Sequence, residues 1–186
     1  YEGRAVGSAQ GTLTGSPRLH LPLSEKHLWE VGCGRLYDLT ITLSRGGEVL
    51  DRVESYFGLR QVAMRGRAFT INGKPVFGRF VLDQGFYPDG IYTAPSDEAL
   101  RKDIEYGLEL GFNGARLHEK IFEERYLYHA DQMGYLVWGE FPNWGYDMQQ
   151  SLAEGLIPEW LEEIARELFE HRVRVGVSFD GSLAQH

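Results

Sequence analysis

Hydrophobic and polar positions repeat with two different periods along this chain. From Tyr1 to about Phe57 the period is two, clearest in Leu36-Tyr37-Asp38-Leu39-Thr40-Ile41-Thr42-Leu43, followed by Ser44-Arg45-Gly46-Gly47 and a return through Val49 and Val53. Alternation interrupted by glycines predicts a β-hairpin. Arg18-Leu19-His20-Leu21 predicts a further short strand, and Leu28-Trp29 opens a loop containing Gly32 and Gly34. A second hairpin is predicted from Ala68-Phe69-Thr70-Ile71 through Asn72-Gly73 to Lys74-Pro75, because Asn and Gly tolerate the positive φ angles of a two-residue turn.

Beyond Pro75 the pattern changes to hydrophobic runs separated by helical stripes. The runs are Val76-Phe77-Gly78-Arg79-Phe80-Val81-Leu82, Phe112-Asn113-Gly114-Ala115-Arg116-Leu117, Tyr135-Leu136-Val137-Trp138 and Val173-Arg174-Val175-Gly176-Val177. A first helix is predicted from the capping hydroxyl of Ser96, with Asp97 and Glu98 favourably placed at its positive end, Leu100, Ile104 and Leu108 on one face, and Gly111 at its close. A second spans about Glu123 to Met133 and stops at Gly134; a third opens at Pro158 and lines up Trp160, Ile164 and Leu168. Strands alternating with helices imply a parallel sheet with right-handed crossovers. About four βα units are present, half of what a closed (β/α)8 barrel needs. The segment before Arg60 is too short for a complete immunoglobulin-like sandwich of roughly 100 residues.

Composition narrows the class of protein. Of 186 residues, 42% are hydrophobic and 25% charged, as in packed globular domains, and the 13% aromatic content suits a core or platforms for sugars. The net charge of −8, with no basic block, argues against nucleic-acid binding. The single cysteine, Cys33, excludes an intrachain disulfide and a multi-cysteine metal site. No long apolar span and no amino-terminal signal pattern occur, so no membrane partner is expected, the chain as given reads as soluble, and its compartment stays open.

In parallel α/β folds, ligands bind where the strands end at their carboxyl termini. Those exits carry Asp83 and Gln84, then His118, Glu119 and Lys120, then Glu140, then Ser178 and Asp180. Alternation places Arg116 and His118 on one side and sends Glu119 elsewhere. Arg can hold a carboxylate or sugar hydroxyl in fixed geometry, and His can donate or accept near neutral pH. A structural ion-pair network at these positions is the competing reading. Glu140 lies between Trp138 and Trp144, where apolar neighbours would raise its pKa as a general acid requires; bonding to Arg116 or Lys120 is the alternative. The stretch Asp83-Gln84-Gly85-Phe86-Tyr87-Pro88-Asp89-Gly90 is a loop suited to walling a pocket. The six histidines show no close paired spacing, and no Gly-rich phosphate loop follows a strand, so neither a metal nor a cofactor is expected.

Four ordered motifs carry a family resemblance. Phe57-Gly58-Leu59-Arg60, Phe69-Thr70-Ile71-Asn72-Gly73-Lys74-Pro75-Val76, Gly111-Phe112-Asn113-Gly114-Ala115-Arg116-Leu117-His118 and Met133-Gly134-Tyr135-Leu136-Val137-Trp138-Gly139-Glu140 resemble glycoside hydrolase family 2, which includes β-galactosidases, β-glucuronidases and β-mannosidases. The resemblance runs over about Leu28 to Glu170. It implies the end of an immunoglobulin-like sandwich in residues 1–60 and the first half of a (β/α)8 barrel in 61–186, without the family's jelly-roll domain. It further implies Arg116 and His118 at the sugar site and Glu140 at the acidic end of the third strand. Retaining hydrolysis pairs an acid/base and a nucleophilic carboxyl group. In the family the acid/base glutamate follows an asparagine at the end of strand four, where this chain has Asp180 and Gly181, and the nucleophile comes from a later strand.

The leading expectation is a family 2-like chain whose parent hydrolyses β-glycosides. Its candidate catalytic residues are Glu140, Glu119 and Asp83, and its candidate sugar-binding residues are Arg116, His118, Trp138, Trp144 and Tyr87. The alternatives are a non-catalytic carbohydrate-binding or inert chain and a promiscuous ester hydrolase. Open edges of a half-barrel predict a homo-oligomer.

Overall fold

A computed structural model describes residues 1–14, 18–140 and 158–163. The antiparallel part opens with β1 (Leu36–Arg45) and β2 (Glu48–Gly58), paired from Leu36↔Gly58 to Arg45↔Glu48 with an irregularity between Leu43 and Ser44. Gly46 and Gly47, at φ +60° and +89°, make the turn. Then β3 (Val62–Arg65), β4 (Ala68–Ile71) and β5 (Lys74–Pro75) form a second sheet, with Asn72 and Gly73 both at positive φ between β4 and β5. The stretch Arg18–Leu21, expected as a strand, is not in a strand among the described residues, although Leu19 packs closely on Gly11.

Three parallel strands follow: β6 (Phe80–Asp83), β7 (Gly114–Leu117) and β8 (Leu136–Gly139), in the order β6-β7-β8. The first begins at Phe80, four residues later than its hydrophobic run. The cause is the buried side chain of Asn113, whose Oδ1 accepts from Arg79 N at 2.7 Å and whose Nδ2 donates to Phe77 O at 2.8 Å. That amide takes the groups a ladder would have used. Helix α1 (Asp97–Glu109) links β6 to β7, and α2 (Glu124–Met133) links β7 to β8. Ser96 caps α1 by accepting from Ala99 N, and Gly134 closes α2 in the left-handed conformation. Residues 158–163 are helical from Pro158 onward. The fourth strand run, Val173–Val177, lies outside the described residues, as do Ile164, Leu168 and Trp144.

In-register pairing sorts the sheet's side chains into two faces. Val81, Ala115 and Val137 share one row and Asp83 and Leu117 the next; this face packs on Leu100, Ile104, Tyr126, Leu127 and Ala130 of the two helices. Phe80, Gly114 and Leu136 begin the opposite face and are covered by Trp29, Ile71, Val62 and Phe69 of the antiparallel part. Gly114 is required here, because a Cβ would lie 2.6 Å from the backbone oxygen of Leu136 as well as 2.5 Å from Phe80 Cε1. The next row on that face, Leu82, Arg116 and Trp138, extends beyond the covering residues. Leu82 is 51% exposed.

Candidate functional site

Arg116 and His118 leave β7 on the uncovered face, and Glu140 follows β8 directly. Glu140 is 4% exposed and accepts at both oxygens: Oε1 from Arg116 Nε and Oε2 from His118 Nδ1, the latter at 2.8 Å. A carboxylate gripped by a guanidinium and an imidazole fixes both partners in orientation. The His118 backbone is tied in turn, its N–H donating to Asp83 O at 2.8 Å. The Arg116 guanidinium lies 5.8 Å from the Trp138 ring centroid, and Phe80 meets that indole edge-on. Trp138 is half-buried against the arginine, and its buried Nε1 has no hydrogen-bond partner among the described residues.

Glu119 departs from the expected alternation. It sits just past the strand at φ +56°, and this twist brings a carboxylate oxygen within 4.8 Å of ligand atoms on His118 and Glu140. The three groups are close enough to hold a cation in common, a possibility that histidine spacing cannot reveal because the ligands come from two strand exits. Both Glu140 oxygens are already engaged, which ties the cluster to Arg116 and His118 as an ion-pair network.

An open pocket of about 350 Å³ lies beside this cluster, lined by Gln84, Phe86, Tyr92, His118 and Glu119. Its aromatic side is Phe86 and Tyr92, whose rings meet at 5.0 Å. Tyr87, the expected platform, turns the other way: its hydroxyl donates to Asp103 Oδ2 at 2.6 Å and its ring packs on the helix-side core. Burial, then the bond to Asp103, pushes the Tyr87 phenol above its ordinary range. The aromatic composition of the loop was readable in the sequence; which ring faces the pocket was set by Asp103, sixteen residues away.

Asp83 is not brought to the cluster. It aligns with Leu117, on the helix face, and its Oδ1 accepts from Gly85 N at 2.8 Å. Burial raises its carboxyl above the ordinary aspartate range, with the Gly85 amide opposing. Tyr135 and Tyr126 are pushed up by burial as well, the Asp83 charge adding to each. Nor does Lys120 reach Glu140; its ammonium contacts Gly85 O, Tyr92 O and Glu123.

Polar side chains thus gather at the carboxyl ends of parallel strands beside a pocket with aromatic walls, the place where α/β folds in general bind ligands. Comparison with known proteins names the relationship. A profile described as Glycosyl hydrolases family 2 matches residues 2–60. An exo-beta-D-glucosaminidase from Amycolatopsis orientalis is 33% identical over 123 residues, covering 62% of this chain and 11% of that protein. A beta-glucuronidase from Streptococcus agalactiae is 29% identical over 121 residues, covering 64% of this chain and 20% of its own length. In fold, the beta-glucuronidase of Ruminococcus gnavus matches with a TM-score of 0.73 at 20% identity, over 86% of this chain and 27% of that one. The chain is glycosyl hydrolase family 2-like, and it spans between a tenth and a fifth of the two curated relatives. Among the described residues no helix is long and apolar enough to cross a membrane.

Proposed function

We propose that this chain carries the sugar-binding side of a β-glycosidase site, with residues 61–186 forming the first half of a (β/α)8 barrel and residues 1–60 the end of an immunoglobulin-like sandwich. The observation that carries the reading is the Arg116–Glu140–His118 network at the exits of β7 and β8, beside an aromatic-walled pocket. A sugar presents an apolar C–H face and a polar rim, so ring faces such as Phe86 and Tyr92 and fixed N–H donors such as those of Arg116 and His118 suit it. Glu140 acts through those two residues as a positioning group. Glu119 is the carboxylate that lines the pocket, beside His118, and it is the best candidate for acid/base work. Asp83 stands on the other face of the sheet, away from this pocket. Trp138 supports Arg116 from beneath. Open strand edges favour a homo-oligomer, which sedimentation at micromolar concentration tests; a monomer throughout would overturn it.

The engagement of both Glu140 oxygens favours a second reading, carbohydrate binding without turnover. Nitrophenyl β-glucuronide, β-galactoside and β-glucosaminide, assayed for hydrolysis and for binding, separate the two. Glycosidase function predicts turnover of at least one substrate, abolished in Glu119→Gln, while Glu140→Gln weakens binding about tenfold by releasing Arg116 and His118. Saturable binding with no turnover supports the second reading. Neither binding nor turnover refutes both.

A further inference from the structure

Lys120 follows two pocket residues, yet its side chain runs into the protein and is only 6% exposed. A buried ammonium needs a replacement for its lost hydration, and it has three N–H donors to place. Nζ donates to Gly85 O at 3.2 Å and to Tyr92 O at 2.8 Å, and it lies 3.7 Å from Glu123 Oε2. The ring centroids of Tyr92 and Phe122 are 4.7 and 4.8 Å away. The two carbonyls belong to opposite ends of the loop that carries Phe86, a loop folded back on itself where Tyr87 and Ile91 exchange backbone hydrogen bonds. The fit is close: a Cβ on Gly85 would lie 2.8 Å from Lys120 Nζ and 2.9 Å from Phe122 Cζ. The remaining ties are peripheral to the ammonium, Tyr92 Oη donating to Glu119 O at 3.2 Å and Ala94 N to Glu123 Oε1 at 3.4 Å.

We propose that Lys120 is a positioning residue for ligand binding: its buried ammonium gathers both ends of the Gly85–Tyr92 loop and so sets Phe86 and Tyr92 as the aromatic wall facing His118 and Glu119. This rests on the sugar-site reading above, in which that wall takes the apolar face of the sugar or of an aryl group attached to it. The loop has no helix or long strand of its own to hold it, so its shape depends on what binds its free carbonyls. A hydrocarbon side chain at this position fills the space and supplies no donor.

Hydrogen exchange read by mass spectrometry, with binding of a phenyl β-glycoside in parallel, tests the role on wild type, Lys120→Met and Lys120→Arg. In Lys120→Met, peptides covering residues 85–93 should exchange about tenfold faster or more, while those of α1 and β7 keep wild-type rates. Glycoside affinity should fall by about tenfold, and Lys120→Arg should recover part of both effects because the guanidinium keeps the charge and the donors. If Lys120→Met fails to fold, Lys120→Gln, which retains an amide donor, takes its place. Unchanged exchange in the loop overturns the proposal, and so does faster exchange spread equally over α1, α2 and β7, the mark of general fold support. Faster loop exchange in a protein whose wild type binds no glycoside sinks the sugar reading and leaves the clamp standing.

Discussion

Asp83 and Glu140 are both acidic residues at the exit of a hydrophobic strand, and one step of register separates their fates. Glu140 meets Arg116, which aligns with Leu82; Asp83 aligns with Leu117 and points into the helix-side layer. Convergence of strand exits is legible in a sequence, but the face is fixed only once the partner register is known. Glu119 shows the opposite case, since its positive φ breaks the alternation that placed it elsewhere. The burial of Asp83 has a pH signature. Its folded pKa is raised above 3.8 by burial, with Asp103 and Glu123 adding and Gly85 N–H and Lys120 opposing. The folded chain therefore holds that proton more tightly than the unfolded chain. Protonated Asp83 favours folding, and the contribution is lost as pH rises from the unfolded value through the raised folded one. Asp83→Asn keeps the acceptor for Gly85 N–H and removes the charge. Its melting temperature should exceed wild type at neutral pH and converge with it near pH 3. Thermal melts across that range check this; a difference independent of pH would refute the assignment.

At the scale of elements, the helices were readable because their signals are local. Ser96 caps α1 and Gly134 closes α2 within the chain's own nearest turns, so sequence and structure agree to within about a residue. The start of β6 was not readable, because it depends on Asn113, more than thirty residues away. β3 escaped notice for a related reason: it is four residues long and owes its strand character to pairing with β4. These two kinds of control predict unequal costs. Ser96→Ala removes one exposed cap hydrogen bond and should cost about 1 kcal/mol. Asn113→Ala strands a donor on Arg79 and an acceptor on Phe77 in a partly buried place, each worth about 1–3 kcal/mol, and should cost more than the cap. Urea unfolding of both variants ranks them. Equal losses would mean that water takes over the Asn113 bonds and that β6 does not depend on that side chain.

For the molecule as a whole, the question is what makes an antiparallel part and a parallel sheet a single folding unit. Three residues of the antiparallel part converge on Asp131 of α2. Tyr56 Oη donates to its Oδ2 at 3.0 Å, Arg60 pairs with its Oδ1 at 3.8 Å, and Trp29 Nε1 donates to its backbone oxygen at 2.7 Å. Arg60 also stacks over the Trp29 ring at 4.5 Å, and the side chains of Arg60 and Asp131 are only 5% and 6% exposed. Close backbone contact reinforces the joint, since a Cβ on Gly34 would lie 2.2 Å from Asp131 O. The sequence marks Trp29 and Arg60 as notable residues, but nothing local shows that they share a partner on a helix some seventy to a hundred positions later. A buried ion pair adds little net stability when intact, yet removing one member leaves a charge without compensation and costs about 3–5 kcal/mol. Asp131→Ala should therefore lower the melting temperature by on the order of 10 °C. If the joint is what couples the two parts, the loss should also separate their unfolding: near-ultraviolet signals from Trp29 and Tyr56 would melt before the far-ultraviolet signal of α1 and α2. Coincident transitions at an unchanged temperature would show that the apolar contacts of Trp29, Ile71 and Leu136 join the two parts on their own.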